Sequence, residues 1–384
     1  MPAPRSVQPR TAAPRRRRWG RRLSGAVAVA VLATAGAGCS VLDGVGETIG
    51  RVDAFGPGAD RPPSDDSGED GGGADRGGST FLVVGTDDRE GIPVDLLKNT
   101  LHAGGESCHC TDAMMLVRLG GPAGRAAVVS IPRDSYVDIP AHLDPATHRQ
   151  VPAGKGKINA AYGMGGAPLT VRTVEQATGL RIDHYVQFDF LGFVSAVDAL
   201  GGVQVCSSRP LRDDYSGLRL PAGTSTLDGP GALAYVRARH LDGTADLGRM
   251  RRQQRFVAQL LRRAADGGLL LDPARLAAVT GSVLRSVKAD RAFSAQDLLA
   301  LATRLRASVA GGTDFATVPL ADVDHEVAGW GSTVLWDGPA AKALFATVRA
   351  GRPIAAPAPK PAPPPPQASP SSFAPVPDAA AVCP

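Results

Sequence analysis

Apolar positions come in three textures along this chain. Leu23 to Leu42 is an unbroken stretch of 20 residues without a charge, just long enough to cross a bilayer as a helix. Residues 43–79 and 353–384 are the opposite. The first holds Pro57, Pro62, Pro63, the acidic run Ser64–Asp70 and Gly71–Gly73; the second is rich in Pro and Ala. Neither buries enough apolar surface to order itself, so both read as linker or tail. Between them, residues 80–352 break their apolar positions into short runs with the periods of folded structure. Phe81–Val84, Met114–Leu119 and Ala126–Ile131 predict strands, the last two joined as a hairpin through Gly120–Gly124. Pro168–Thr178, closed by Gly179, predicts a helix, as do Phe190–Leu200, Pro273–Val279, Ala295–Arg306 and Pro339–Arg349. Tyr185–Phe188, Val203–Cys206 and Phe315–Val318 predict further strands. This loose alternation predicts an α/β fold, a mixed central sheet with helices on both faces.

One stretch organises the rest. In Tyr235-Val236-Arg237-Ala238-Arg239, polar and apolar positions alternate. Read as a strand after a short helix Gly229–Leu233, it puts Arg237 and Arg239 on one face; in a helix they would diverge by roughly 200°. From Asp246, a candidate N-cap, the period turns helical. Leu247, Met250, Val257 and Leu261 make a core stripe, Arg251, Arg255 and Arg262 a solvated side, and Arg249, Arg252, Gln253 and Phe256 a third side. Arginines gathered this way suit forked recognition of phosphate oxygens. The same residues also read as a salt-bridged surface in an Arg-rich protein.

Charge adds an orientation. The net charge of +5 is modest, and Arg15–Arg18, Arg21 and Arg22 carry much of the surplus. They precede the apolar stretch, and Asp43 and Glu47 follow it. The positive-inside rule therefore puts residues 1–22 in the cytoplasm, 23–42 in the membrane as an anchor, and everything after outside. A cleaved signal peptide and a lipoprotein signal ending at Cys39 are the alternatives, and all three export the folded region. No basic run with interleaved aromatics appears there, so nucleic acid is not an expected partner.

Polar groups collect where strands stop, the usual place for ligands in layered folds. Asp87 and Arg89 follow the first strand, Asp112 precedes the second, and Arg133 and Asp134 follow the third. Asp87 and Asp112 are candidates to share a magnesium ion, which takes few carboxylates and completes its shell with phosphates and water; turn capping is the plainer role for each. Lys157 opens a helix after a glycine-rich loop and is a phosphate candidate. Of the five cysteines, Cys108, Cys110 and Cys206 lie in the folded region, so one of the first two is expected to bridge to Cys206. A zinc site using His109 is the alternative. His184 and His240 leave hydrolase chemistry open, although no Gly-x-Ser-x-Gly elbow accompanies them.

Taken in order, six motifs carry a resemblance. They are Val84–Arg89, Thr111–Leu116, Val129–Ser135, Lys157–Tyr162, Val197–Val203 and Tyr235–Gln254, spread over 81–261. Through them the chain resembles the LytR-CpsA-Psr (LCP) family of extracytoplasmic cell-wall ligases. The resemblance implies an LCP-like α-β-α sandwich and a magnesium-dependent phosphotransferase. Its donor would be a glycopolymer on a polyprenyl-pyrophosphate carrier, its acceptor a peptidoglycan sugar hydroxyl, and polyprenyl phosphate would be released at the membrane surface. Asp87 and Asp112 match the metal-associated aspartates. Arg89, Arg133, Arg237, Arg239, Arg249 and Gln253 match the pyrophosphate-contacting set, which Lys157 extends, and Arg133, Arg237 and Arg239 count as catalytic. Asp134 is nominated as general base. Cys110 stands where better-known members have Arg, and Ser135 where they have Thr. A pyrophosphate hydrolase at the same site and a non-catalytic lipid-binding module are the rival readings.

Overall fold

The computed structural model describes residues 50–56, 61–63, 78–89, 92–104, 108–120, 124–241, 245–265, 287–294, 297, 304, 307 and 312–354. The expected anchor, most of both expected tails, the helix Pro273–Val279 and most of Ala295–Arg306 lie outside these residues. Among the described residues, no helix is long and apolar enough to cross a membrane.

In chain order the elements are β1 (Gly50–Val52), β2 (Ser79–Thr86), a single π-turn at Leu96–Thr100, β3 (Thr111–Leu119), β4 (Ala126–Ile131), β5 (Tyr136–Ile139), β6 (His142–Leu143), β7 (Gln150–Val151) and β8 (Gly154–Lys157). Then come α1 (Ala160–Thr178), β9 (His184–Phe188), α2 (Phe190–Ala199), β10 (Val203–Ser207), β11 (Leu211–Asp213), β12 (Leu218–Leu220), β13 (Gly223–Leu227) and α3 (Gly229–Arg237). The chain finishes with α4 (Ala245–Ala265), β14 (Val287–Asp290), β15 (Thr313–Thr317), β16 (Leu320–Val327), β17 (Gly331–Trp336) and α5 (Gly338–Arg349).

The main sheet has the order β1-β14-β9-β2-β3-β4-β15. It is mixed: β2 runs antiparallel to β3 and parallel to β9, β3 antiparallel to β4, and β4 parallel to β15. Successive residues of a strand face opposite ways, and the core follows that rule. Leu82, Val84, Met114, Leu116 and Val129 turn to one side, where Val171 and Val174 of α1 and Leu344, Phe345 and Val348 of α5 cover them. Met115, Val128 and Phe315 turn to the other, against Ala258, Val257 and Leu261 of α4. The expected mixed sheet between helical layers is therefore present. A second apolar cluster joins α2, α3 and β10, with Phe190, Val197, Leu233 and Tyr235 inside it.

Two expectations need correction. The segment 43–79 is not linker throughout. Val52, Ala54 and Phe55 are apolar enough to dock, and β1 satisfies its backbone by pairing parallel with β14 at the sheet edge. Arg61 then anchors to Glu175 of α1 at 2.7 Å. Second, Tyr235–Arg239 is not a strand. Asp228 caps α3, its side chain accepting from Gly231 N, and the helix runs from Gly229 through Arg237. Ala232, Leu233, Tyr235 and Val236 are buried together, a helical spacing that the alternation of short apolar and long polar residues had disguised.

Candidate active site

The sheet register brings the strand-end groups together. β2 and β4 end, and β3 begins, at the same edge, because Thr86 pairs with Thr111 and Met114 with Ile131. Asp87, Asp112 and Arg133 therefore emerge side by side. Arg89 forks onto Asp87, with Nε 2.6 Å from Oδ1 and Nη2 2.7 Å from Oδ2. Cys108 N also donates to Asp87 Oδ2, at 3.4 Å. Arg133 Nη1 donates to Asp112 Oδ1 at 2.5 Å, and its Nε donates to Asp134 Oδ2 at 3.3 Å. Lys157 lies 3.3 Å from Asp134 Oδ1. Asp134, nominated as base, thus has both oxygens occupied by cations and stands behind Arg133 rather than facing the cavity.

The opposite wall comes from α3 and α4. At Ala238 the backbone leaves the helix for an extended conformation (φ −57°, ψ 133°). That break cancels the helical divergence of Arg237 and Arg239, and both side chains line one cavity with Asp87, Asp112, Arg133, Arg249 and Gln253. Its volume of about 390 Å³ falls within the range of small-ligand clefts. Arg237 Nη1 donates to Leu101 O at 2.7 Å, and its guanidinium lies over the Phe190 ring, 4.9 Å from the centroid. Burial pushes the Arg237 guanidinium pKa down, against Asp112 and Asp87, which hold it charged. Arg252, expected beside Arg249, is buried and donates to Ala238 O instead. Gln253 Nε2 donates to Val236 O at 3.2 Å, so α4 braces the last turn of α3. Of the expected solvated side, Arg251 and Arg255 are exposed and Arg262 is half-buried. The side chains of Asp246 and Leu247 lie outside the described residues.

The structure gives a pairing that was not expected, while Cys206 is itself disulfide-bonded. Cys108 bonds to Cys110, with Cα atoms 5.1 Å apart. His109 between them adopts φ 45°, and this reversal brings the two Cβ atoms into bridging range. The pairing also takes two thiols out of a potential Cys108, Cys110, Asp112 metal cluster, so zinc chemistry has no support at this loop.

The LytR_cpsA_psr family model matches residues 59–343. The chain belongs to this family. Two relatives come from Corynebacterium glutamicum. One, named probable cell wall biosynthesis protein LcpB, is 35% identical over 277 residues, 72% of this chain and 62% of its own length. The cell wall biosynthesis protein LcpA is 34% identical over 67% of this chain and 52% of its own length. The chain thus spans only about half to three fifths of these relatives. A polyisoprenyl-teichoic acid–peptidoglycan teichoic acid transferase TagU from Oceanobacillus iheyensis is 33% identical over 48% of this chain and 51% of itself. Among solved structures, a LytR-Csp2A-Psr enzyme from Actinomyces oris covers 78% of this chain and 94% of its own, with TM-score 0.56 at 21% identity. Its likeness is one of fold.

The cavity has further lining outside the expected set. Asp213, Tyr215, Ser216 and His240 also line it. Asp213 is buried at the end of β11 and accepts from Arg239 N at 2.7 Å, His240 N at 3.2 Å and Tyr215 N at 3.0 Å. Burial pushes its carboxyl pKa up, but these backbone donors outweigh burial and hold it below the usual carboxylate range. In the sequence, Asp213–Gly217 reads only as a hairpin turn; nothing local shows that the turn meets the arginines.

Proposed function

We propose that this LCP-family protein transfers a glycopolymer from a polyprenyl-pyrophosphate carrier to a sugar hydroxyl of peptidoglycan. The observation that carries the reading is the cavity in which Arg133, Arg237, Arg239 and Arg249, from three elements, face Asp87 and Asp112. Phosphoryl transfer asks for positioning and charge neutralisation more than for covalent help, and this wall offers both. The acceptor oxygen would attack the polymer-bearing phosphorus, the bond from that phosphorus to the bridging oxygen would break, and polyprenyl phosphate would leave with the bridging oxygen. Forked arginines suit the non-bridging oxygens in that step.

Asp87 and Asp112 fit a magnesium ion by donor chemistry: two hard carboxylates on one cavity wall, with room for phosphate oxygens and water. When bound, the ion would neutralise charge on both phosphates. Arg133, which pairs with Asp112 and lines the cavity, would be the nearer of the two paired arginines to a bound phosphate, and Arg89 would hold Asp87 in place. Asp134, held between Arg133 and Lys157, suits orienting those two cations. The lipid needs an apolar surface beside the arginines; Phe190, beneath Arg237 and Arg89, is buried in the core and serves to support those guanidinium groups.

An N-terminal anchor with the catalytic region outside the cell accords with residues 23–42 and with a disulfide in the loop before β3, since disulfides persist in oxidising compartments. The experiment is release of polyprenyl phosphate from a synthetic lipid-pyrophosphate saccharide by the full-length chain in detergent. It is run with and without magnesium and with and without peptidoglycan oligomer. Release that requires the oligomer and yields a joined product establishes the transferase. Release to water without oligomer establishes the hydrolase instead, and binding without release establishes the carrier.

A further inference from the structure

The rim of the cavity opposite the sheet carries chemistry that phosphate binding does not use. Tyr215, at the tip of the β11–β12 hairpin, is 77% exposed, the most exposed large apolar side chain among the described residues. Its ring leans against His240, with centroids 4.3 Å apart and planes tilted by 35°. One ring face is therefore covered and the other is open beside the arginines. The tip is built rather than loose. Asp213 pins it to the backbone of Arg239 and His240, and His240 Nδ1 lies 3.5 Å from Asp213 Oδ1. On the far side His102 packs directly on Gly217, where φ is +76° and an added Cβ would fall 2.1 Å from the imidazole. A second observation points to a ligand. Ser216 lines the same cavity, is 5% exposed, and its hydroxyl finds no hydrogen-bond partner among the described residues. A buried hydroxyl without a partner is costly unless a ligand completes it.

We infer that Tyr215, backed by His240, and Ser216 form a saccharide subsite next to the pyrophosphate site. The open aromatic face matches the apolar C–H face of a pyranose ring, and the Ser216 hydroxyl matches a ring hydroxyl. A charged or lipid ligand is a poor fit, because one half of the subsite is a flat neutral ring and the other a single uncharged donor. The inference rests on the phosphotransferase reading for its location, and it deepens that reading by giving the sugar next to the phosphorus a place to sit. Two sugars meet at such a centre, the first residue of the donor polymer and the acceptor glycan, and the chemistry is the same for both.

The test measures dissociation constants of the full-length chain in detergent for three probes: farnesyl pyrophosphate, farnesyl-pyrophosphoryl-N-acetylglucosamine, and a soluble N-acetylglucosamine–N-acetylmuramic acid oligomer. The variants are Tyr215→Ala, Tyr215→Phe and Ser216→Ala. For Tyr215→Ala, affinity for a saccharide probe relative to farnesyl pyrophosphate should fall about three- to tenfold, the range of an aromatic stacking contact. Tyr215→Phe should keep most of it, and Ser216→Ala should fall between. A fall confined to the lipid-linked sugar assigns the subsite to the donor, and one confined to the oligomer assigns it to the acceptor. Unchanged ratios for both probes, or an equal loss in Tyr215→Phe and Tyr215→Ala, overturn the subsite. Failure of the wild type to bind farnesyl pyrophosphate strikes the phosphotransferase reading instead, and the oligomer arm then still decides the subsite.

Discussion

The two walls of the cavity hold their arginines in different ways. At the sheet edge the cavity-lining Asp87 is paired with Arg89, and Arg133 with Asp112 and Asp134. Each guanidinium there is balanced by carboxylate charge. On the helix wall Arg237 is held by the carbonyls of Leu101 and His102. A carbonyl orients a guanidinium without cancelling its charge. Arg237 is therefore preorganised by carbonyls, a condition that suits the reception of a pyrophosphate. The sheet wall is a set of ion pairs, and in the proposed reaction their opening would offer acidic oxygens to a cation and an arginine to an anion.

The sharpest way to break this contrast is to remove one arginine from each wall. Arg237→Ala should lower turnover of a lipid-pyrophosphate saccharide by about 100- to 1000-fold, the cost of losing one transition-state donor. Arg89→Ala leaves Asp87, only 4% exposed, without its fork. It should cost about 3 kcal/mol of stability, the penalty for leaving a buried charge unpaired. Turnover assays beside chemical unfolding of both variants check the pair of effects. If Arg89→Ala unfolds no more easily than Arg237→Ala, the walls do not differ as described.

A smaller effect is expected at Asp112. Its side chain is about a third exposed, at 32%, so Asp112→Asn should fold normally. The magnesium concentration for half-maximal release should rise about 10- to 100-fold, the scale of losing a group that supports a metal. Chelation of divalent ions from the wild type should stop release, and added magnesium should restore it. A chelator-insensitive wild type removes the metal from the scheme.

How much of this was legible in the residues depends on distance along the chain. The sheet-edge wall was readable because each group directly adjoins a strand, and strand ends converge once the hairpin β3–β4 is recognised. On the helix wall the helix carrying Arg249 and Gln253 was readable from its period, but Arg237 and Arg239 were read as a strand. A five-residue alternation cannot distinguish a strand from the last turn of a helix that ends at Ala238. The hairpin Leu211–Leu220 was silent, because its contribution arises only when Asp213 reaches the backbone of Arg239, 26 positions away. The edge strand β1 was hidden for the same reason: its three residues acquire a partner only when β14 is in place.

Asp213 offers the next test, through pH. Its carboxyl is held below the ordinary carboxylate range in the folded chain, so the folded state binds its proton less readily than the unfolded state. The stability it supplies is complete above the unfolded value of about 3.9 and is lost as pH falls through the lower folded value. Asp213→Asn should remove that contribution, about 1–3 kcal/mol for a buried acceptor losing its charge-assisted bonds. The gap in unfolding free energy between wild type and variant should be full at pH 6 and narrow as pH drops below about 4. A gap that stays constant down to pH 2 means that the carboxylate charge does not pin the Arg239 turn.

The smallest effect belongs to the Cys108–Cys110 bond. It closes a loop with a sequence separation of only 2, so it restricts the unfolded chain little, and chain-entropy reasoning gives about 1–2 kcal/mol. Its place in the site is more telling than its contribution to stability. Cys108 N bonds Asp87, and Asp87 N bonds Cys110 O at 3.2 Å, so the bridge shapes the acidic side of the cavity from behind. A Cys108→Ser, Cys110→Ser double variant should therefore melt only slightly earlier than wild type while needing more magnesium for the same turnover. Peptide mapping of the unreduced chain should recover Cys108 and Cys110 in one bridged peptide. Recovery of either cysteine joined to Cys206 would overturn that pairing and would tie the acidic wall to β10 instead of to itself.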